Sequence, residues 1–111
     1  MIVRLWRGQT TRDNADAYHA HVTQTVFPVL TEMDGHKGSY LLKREVAERV
    51  EFLAVTLWES LEAIRQFAGD NMDEAVVEPE ARAVLVEFDS SVQHFQVTYG
   101  SCGQGRDDLQ S

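Results

Sequence analysis

Residues 51–70 read EFLAVTLWESLEAIRQFAGD. Glu51 to Trp58 reads as a strand with apolar residues on both faces, so both faces are expected to be covered. Ser60 is a helix N-cap, Glu62 sits where the helix dipole favours a carboxylate, and Gly69 stops the helix after about Ala68. Upstream, Ser39 to Arg44 is a second strand, and the polar Glu45 to Arg49 is short enough to join the two as a hairpin. Asp34-Gly35-His36-Lys37-Gly38 is the turn before it.

Further upstream, Thr10 to Asn14 is rich in capping side chains, so a helix is expected to start there. Ala15, Tyr18, Val22, Val26, Val29 and Met33 follow at steps of three and four and make one buried stripe. Pro28 lies inside that stripe and predicts a kink, or an end to the regular helix, near Phe27. Residues 2–8 form the opening strand, with VRLWR at its centre. Downstream, Asn71 to Val77 reads as one or two helical turns. Pro79 opens another short helix, PEARAVL. Val92 to Tyr99 is the last strand. From Gly100 on, GSCGQGRDDLQS has almost nothing to bury, so residues 1–99 are one domain and 100–111 a disordered tail.

The order is β-α-β-β-α-β, an α+β ferredoxin-like arrangement with helices on one face of an antiparallel sheet. In that topology the first strand lies between the third and the last. The alternation then sorts the side chains. The simplest assignment gives the helices Val3, Leu5, Leu53, Val55, Leu57, Phe95 and Val97. The opposite face then carries Arg4, Trp6, Phe52, Thr56, Trp58 and His94. That set is too apolar for water and too polar for a plain core. It is expected to pack on the same face of a second copy, closing a barrel around a small-molecule cavity. A slip of one residue would exchange the two faces.

Composition narrows the function. The chain has 111 residues, a formal charge of −8, and 18 acidic against 10 basic side chains. That argues against a nucleic-acid binder and against an anionic membrane surface. Apolar runs are too short to span a bilayer, and the N-terminus lacks a signal-peptide pattern. Cys102 has no second cysteine to pair with, which fits a cytoplasmic protein.

The stretches VRLWRGQTTRDNADAY, DGHKGSYLLKRE, EFLAVTLWESLEAIRQFAGD and VQHFQV, with their spacing, resemble the antibiotic biosynthesis monooxygenase family of dimeric α/β-barrel proteins over residues 1–99. The resemblance implies a homodimer. It also implies cofactor-free monooxygenase chemistry on a small aromatic or polyketide-like substrate, which reduces dioxygen itself as a carbanion or enolate. Two alternatives share the scaffold: a non-catalytic small-molecule or stress-response protein, and a lyase or isomerase. The family also includes haem degraders with an Asn, Trp and His triad. Here Phe67 stands at the Trp position, Val77 at the His position, and Arg7 or Gly8 at the Asn position, so no cofactor is expected.

His94 is the candidate base or substrate hydrogen-bonding group, unless a dimer partner or a backbone carbonyl satisfies it. Arg4 is a candidate holder of an oxyanion or carboxylate, or else the partner of an acidic residue across a dimer. Trp6 is a stacking wall or an interface aromatic. Phe52, Thr56 and Trp58 share that face as candidate substrate contacts, Trp58 being more often core. Tyr40 and Tyr18 are further candidate pocket donors, Tyr18 belonging first to the helix stripe. His19 and His21 diverge on a helix, so no metal site is expected. His36 lies in a glycine turn, at a cavity mouth or in solvent. Cys102 has no histidine near it in sequence.

Overall fold

The structure, a computed structural model, describes residues 1–101. Chain order is β1 (Ile2–Thr11), α1 (Ala15–His21), a π-helical turn (Val22–Val26), α2 (Phe27–Thr31), β2 (His36–Val46), β3 (Arg49–Trp58), α3 (Leu61–Ala68), α4 (Pro79–Val84), β4 (Leu85–Phe88) and β5 (Gln93–Gln96). The sheet is antiparallel and open, in the order β2-β3-β1-β4, with β5 also pairing β1. The ferredoxin-like α+β arrangement is therefore present, with β1 at its centre. Cys102 and most of the segment read as a tail lie outside the described residues.

The local signals act as their chemistry dictates. The Ser60 hydroxyl accepts from the Ala63 N–H at 3.2 Å, and Gly69 ends α3 with φ +86°. Pro28 cannot donate a backbone hydrogen bond, and just before it the helix widens: the Phe27 N–H reaches back five residues to the Val22 carbonyl. The extra residue in that turn shifts the buried stripe by one. Ala15, Tyr18 and Val22 are buried as the periodicity requires, but beyond the turn Leu30 is buried and Val29 exposed.

Two readings of the C-terminal third are corrected. Residues 71–77 form no helix. The last strand, read over Val92–Tyr99, is the shorter β5, which pairs with Ile2–Leu5, and a strand absent from the sequence reading, β4, pairs with Gly8–Thr10. Between them the chain leaves β1 and pairs with the 73–75 segment, through a Glu74–Ser91 bridge and hydrogen bonds Ala75 N to Ser90 O and Val92 N to Asp73 O.

The larger correction concerns the faces. Arg4 pairs with Thr56, Trp6 with Ala54 and Gly8 with Phe52, and partners in register share a face. Phe52 packs on Tyr18 of α1 with ring centroids 4.8 Å apart, and Trp58 belongs to the core cluster with Leu30 and Ile64. Arg4, Trp6, Phe52, Thr56, Trp58 and His94 therefore lie under the helices. Val3, Leu5, Leu53, Val55, Leu57 and Phe95 line the open face, joined by Tyr40 and Leu42. Both sets alternate with apolar residues, so periodicity alone could not choose between them. The choice turns on a buried guanidinium that finds its acceptors within the same chain.

The open face has two halves. One is apolar, with Tyr40, Leu42 and Phe95 about half exposed. The other is ionic. Glu51 accepts from Arg7 Nε at 2.7 Å and from Arg44 Nε at 2.5 Å, and Arg7 also meets Asp89 at 3.2 Å. These two arginines hold the Glu51 carboxyl below its ordinary value.

Gly35, in the turn before β2, has φ +86°, and a Cβ there would lie 2.5 Å from the Ala63 Cβ. Gly35→Ala is expected to cost about 2 kcal/mol or more, from left-handed strain plus overpacking. Urea denaturation of the purified variant measures it. An unchanged midpoint would show that α3 yields freely at Ala63.

Candidate functional site

Two buried clusters make up the core: one around Tyr18, Val22 and Phe52, the other around Leu30, Trp58 and Ile64. They do not close completely on each other. Between them, inside one chain, lies a cavity of about 110 Å³. Trp6, Tyr18, Phe67 and Val77 are among its walls, with Arg4 and Thr56 reaching it from the sheet. Arg4, Trp6 and Thr56, expected to face a cavity between two subunits, thus line one between the sheet and the helices.

Arg4 is 5% exposed. Its guanidinium donates to the carbonyl oxygens of Met72 at 2.6 Å and Glu74 at 3.2 Å, and to His94 Nε2 at 3.0 Å. The Phe67 ring lies beneath it, 5.5 Å from Cζ to centroid. Burial lowers the Arg4 pKa, and Asp73 opposes that shift. A guanidinium has five N–H donors. Three are accounted for among the described residues.

The Arg4 contact fixes the state of His94. A guanidinium only donates, so Nε2 must accept, and the ring proton sits on Nδ1, which is 3.4 Å from Asp73 Oδ1. Burial, then the Arg4 charge, lower the His94 pKa, while Asp73 opposes them. The ring is neutral, but the lone pair that a base would use is engaged by Arg4. His94 is not among the cavity walls. It positions Arg4 from behind.

The other expected residues divide cleanly. Trp6 is a cavity wall whose indole N–H donates to the Asp89 carbonyl at 2.7 Å. Thr56 reaches the cavity but accepts from Trp58 Nε1 at 2.8 Å. Trp58 and Phe52 are buried behind the walls. Tyr40 is 60% exposed on the opposite face. His36 packs edge-on against Trp58, 5.2 Å between centroids, and burial lowers its pKa.

Two further cavity residues carry chemistry: Tyr18, read from the sequence first as helix core, and His21, weighed there only as half of a metal pair. Tyr18 is 2% exposed, burial raises its pKa, and its hydroxyl has no hydrogen-bond partner among the described residues. His21 lines the cavity with a buried Nε2 that likewise makes no hydrogen bond there. Their spacing of three residues on α1 was the available signal, since it puts both on one helix face. His19 is exposed, and no group of three metal-ligating side chains occurs among the described residues.

A family model described as antibiotic biosynthesis monooxygenase matches residues 1–85. Solved structures share the fold. A Bacillus cereus protein described as a candidate antibiotic biosynthesis monooxygenase is 12% identical, with 93% of this chain and 96% of that one covered and a TM-score of 0.66. The haem-degrader MhuD of Mycobacterium tuberculosis, solved with two haems bound in its active site, is 20% identical, with coverage of 92% and 100% and a TM-score of 0.65. A Bordetella bronchiseptica protein, also described as a candidate antibiotic biosynthesis monooxygenase, is 17% identical, with coverage of 88% and 97% and a TM-score of 0.62. At these identities the likeness shows the fold alone. No curated protein is significantly similar in sequence.

The lowered His94 and His36 values carry a pH dependence. Below pH 6.5, their ordinary value, the unfolded chain binds protons that the folded chain resists. The stability they contribute is present above pH 6.5 and is lost as the pH falls through the lowered folded values. His94→Gln is therefore expected to flatten the fall in Tm between pH 7 and pH 5, at a cost of about 1 kcal/mol at pH 7. An acid limb as steep as that of the parent protein would show that His94 titrates freely.

Proposed function

The chain belongs to the antibiotic biosynthesis monooxygenase family, and on that premise we propose that it is a cofactor-independent monooxygenase taking a small, single-ring hydroxyaromatic substrate. The observation that carries this reading is the partly open cavity of about 110 Å³ with aromatic walls and one guanidinium. Core cavities of roughly 150 Å³ bind benzene. A single ring is therefore the right scale for the space beside Arg4. A phenolate or enolate oxygen would take the unused Arg4 N–H donors, which favours the anion that must give electrons to dioxygen. One oxygen atom becomes a ring carbonyl and the other leaves as water, so a phenol and dioxygen give a quinone and water, and all four electrons that dioxygen takes up come from the substrate.

Haem does not fit these residues. The macrocycle is several times the size of one ring. Phe67 and Val77 occupy two of the triad positions as cavity walls. At the third, a Cβ on Gly8 would lie 2.6 Å from the Trp6 ring, so the indole already fills the space a side chain would need.

The apolar half of the open face supports a homodimer in which two sheets pack together, as the family resemblance implies. Tyr40, Leu42 and Phe95 would be covered, and the Arg7–Glu51–Arg44 cluster would border the contact. No helix among the described residues is long and apolar enough to cross a membrane. The acidic composition and single cysteine support a cytoplasmic setting.

Ala54 lies on the cavity wall opposite Trp6 in register. Ala54→Leu fills the cavity and is expected to reduce dioxygen uptake with simple hydroxyaromatics at least tenfold, leaving the unfolding midpoint unchanged or raised. An oxygen electrode and thermal melts read the two effects. Uptake that survives the filling would place the chemistry elsewhere. Leu42→Glu is expected to turn a species of twice the 12.6 kDa chain mass into a monomer in sedimentation. An unaffected dimer would place the interface off the open face.

A further inference from the structure

His21 ends α1, immediately before the π-helical turn, and lines two spaces at once. One is the internal cavity. The other is a shallow surface hollow bordered by Thr25, Pro79 and Glu80. Glu78 also borders both. The pair thus stands between the cavity and solvent.

We propose that His21, backed by Glu78, is the proton acceptor of the cavity and passes the proton to water through the outer hollow. The inference rests on the reading of the cavity as a hydroxyaromatic site. Three observations converge on it. The His21 Nε2 is buried without a hydrogen-bond partner among the described residues, a costly condition that a ligand O–H would relieve. Glu78 Oε1 lies 3.2 Å from that nitrogen but out of line for a hydrogen bond. The carboxylate thus leaves the nitrogen unbonded and stands within ion-pair distance of it once the proton arrives. Lastly, His94, the other histidine on this side of the sheet near Arg4, has its Nε2 lone pair engaged by Arg4.

The step is a plain proton transfer. The substrate O–H bond breaks, its electron pair stays on the substrate oxygen, and the proton goes to His21 Nε2. Charged and titratable groups around the two spaces come from every packed element: Tyr18 on α1, Glu78 and Glu80 at the start of α4, and Arg4 on β1. Among these groups, His21 alone has an imidazole nitrogen that is buried and makes no hydrogen bond among the described residues.

The probe is 4-nitrophenol, whose phenolate is yellow, titrated bound to the full chain and to His21→Gln, Glu78→Gln and Arg4→Gln. In the parent protein the bound probe is expected to ionise at least about 1 pH unit below the free probe. His21→Gln should return most of that shift, Glu78→Gln part of it, with melting temperatures showing that each variant is folded. If the probe binds and ionises alike in the parent and in His21→Gln, His21 is not the acceptor, although the cavity is still a ring site. If the whole shift disappears only in Arg4→Gln, the guanidinium alone sets the ionisation and the proposal falls. If 4-nitrophenol does not bind at millimolar concentration, the hydroxyaromatic reading fails and the proposal fails with it.

Discussion

A guanidinium buried at the centre of the sheet sets the terms for the rest of the molecule. Arg4 lies on the strand that pairs with three others, beneath the helices, and its charge survives there only because acceptors are brought to it. Two of those acceptors are main-chain carbonyls, of Met72 and Glu74. Carbonyls pointing at Arg4 are not available to a helix, so the segment from 71 to 77 stays irregular. That segment in turn needs a partner for its own N–H and C=O groups. It takes the stretch between β4 and β5, which is why the edge strand beside β1 is broken in two.

The same requirement leaves the core imperfectly closed. Helices packed on a uniformly apolar sheet face would interdigitate without a gap. Here a guanidinium, an indole tied to Asp89, and a helix widened before Pro28 meet across the sheet. The two halves of the core pack well within themselves and leave a space between them. The cavity is thus a consequence of polar satisfaction on β1 and of a missing backbone donor in the first helical region.

Much of this architecture was legible in the sequence because it is local. Ser60, Gly69, the Glu45–Arg49 hairpin and Pro79 each act within a few residues of themselves. The face of the sheet was not legible. Strand side chains repeat every two residues, and both alternating sets carry enough apolar residues to serve as a core. Deciding between them required knowing that carbonyls some seventy residues away would reach Arg4, a contact that no periodicity encodes. The candidate site followed the same division. Arg4, Trp6 and Thr56 do reach a cavity, and His94 does sit beside Arg4, because register carries those neighbours wherever the face points. Phe52 and Trp58 are behind the walls, and Tyr40 is on the other side.

His21 shows how face assignment governs function as well as fold. With the Arg4 face turned toward a second subunit, His94 is the histidine closest to the expected cavity and a helix histidine is a spectator. Turned toward the helices, the same face makes α1 the opposite wall, and Tyr18 and His21 become the polar groups that look back at Arg4 across the space. His94 then holds Arg4, and His21 is left beside a carboxylate with an Nε2 that makes no hydrogen bond among the described residues. On the proposed reading, the anion site and the proton acceptor lie on opposite layers of one protomer, and a second subunit would cover the apolar sheet face without supplying chemistry.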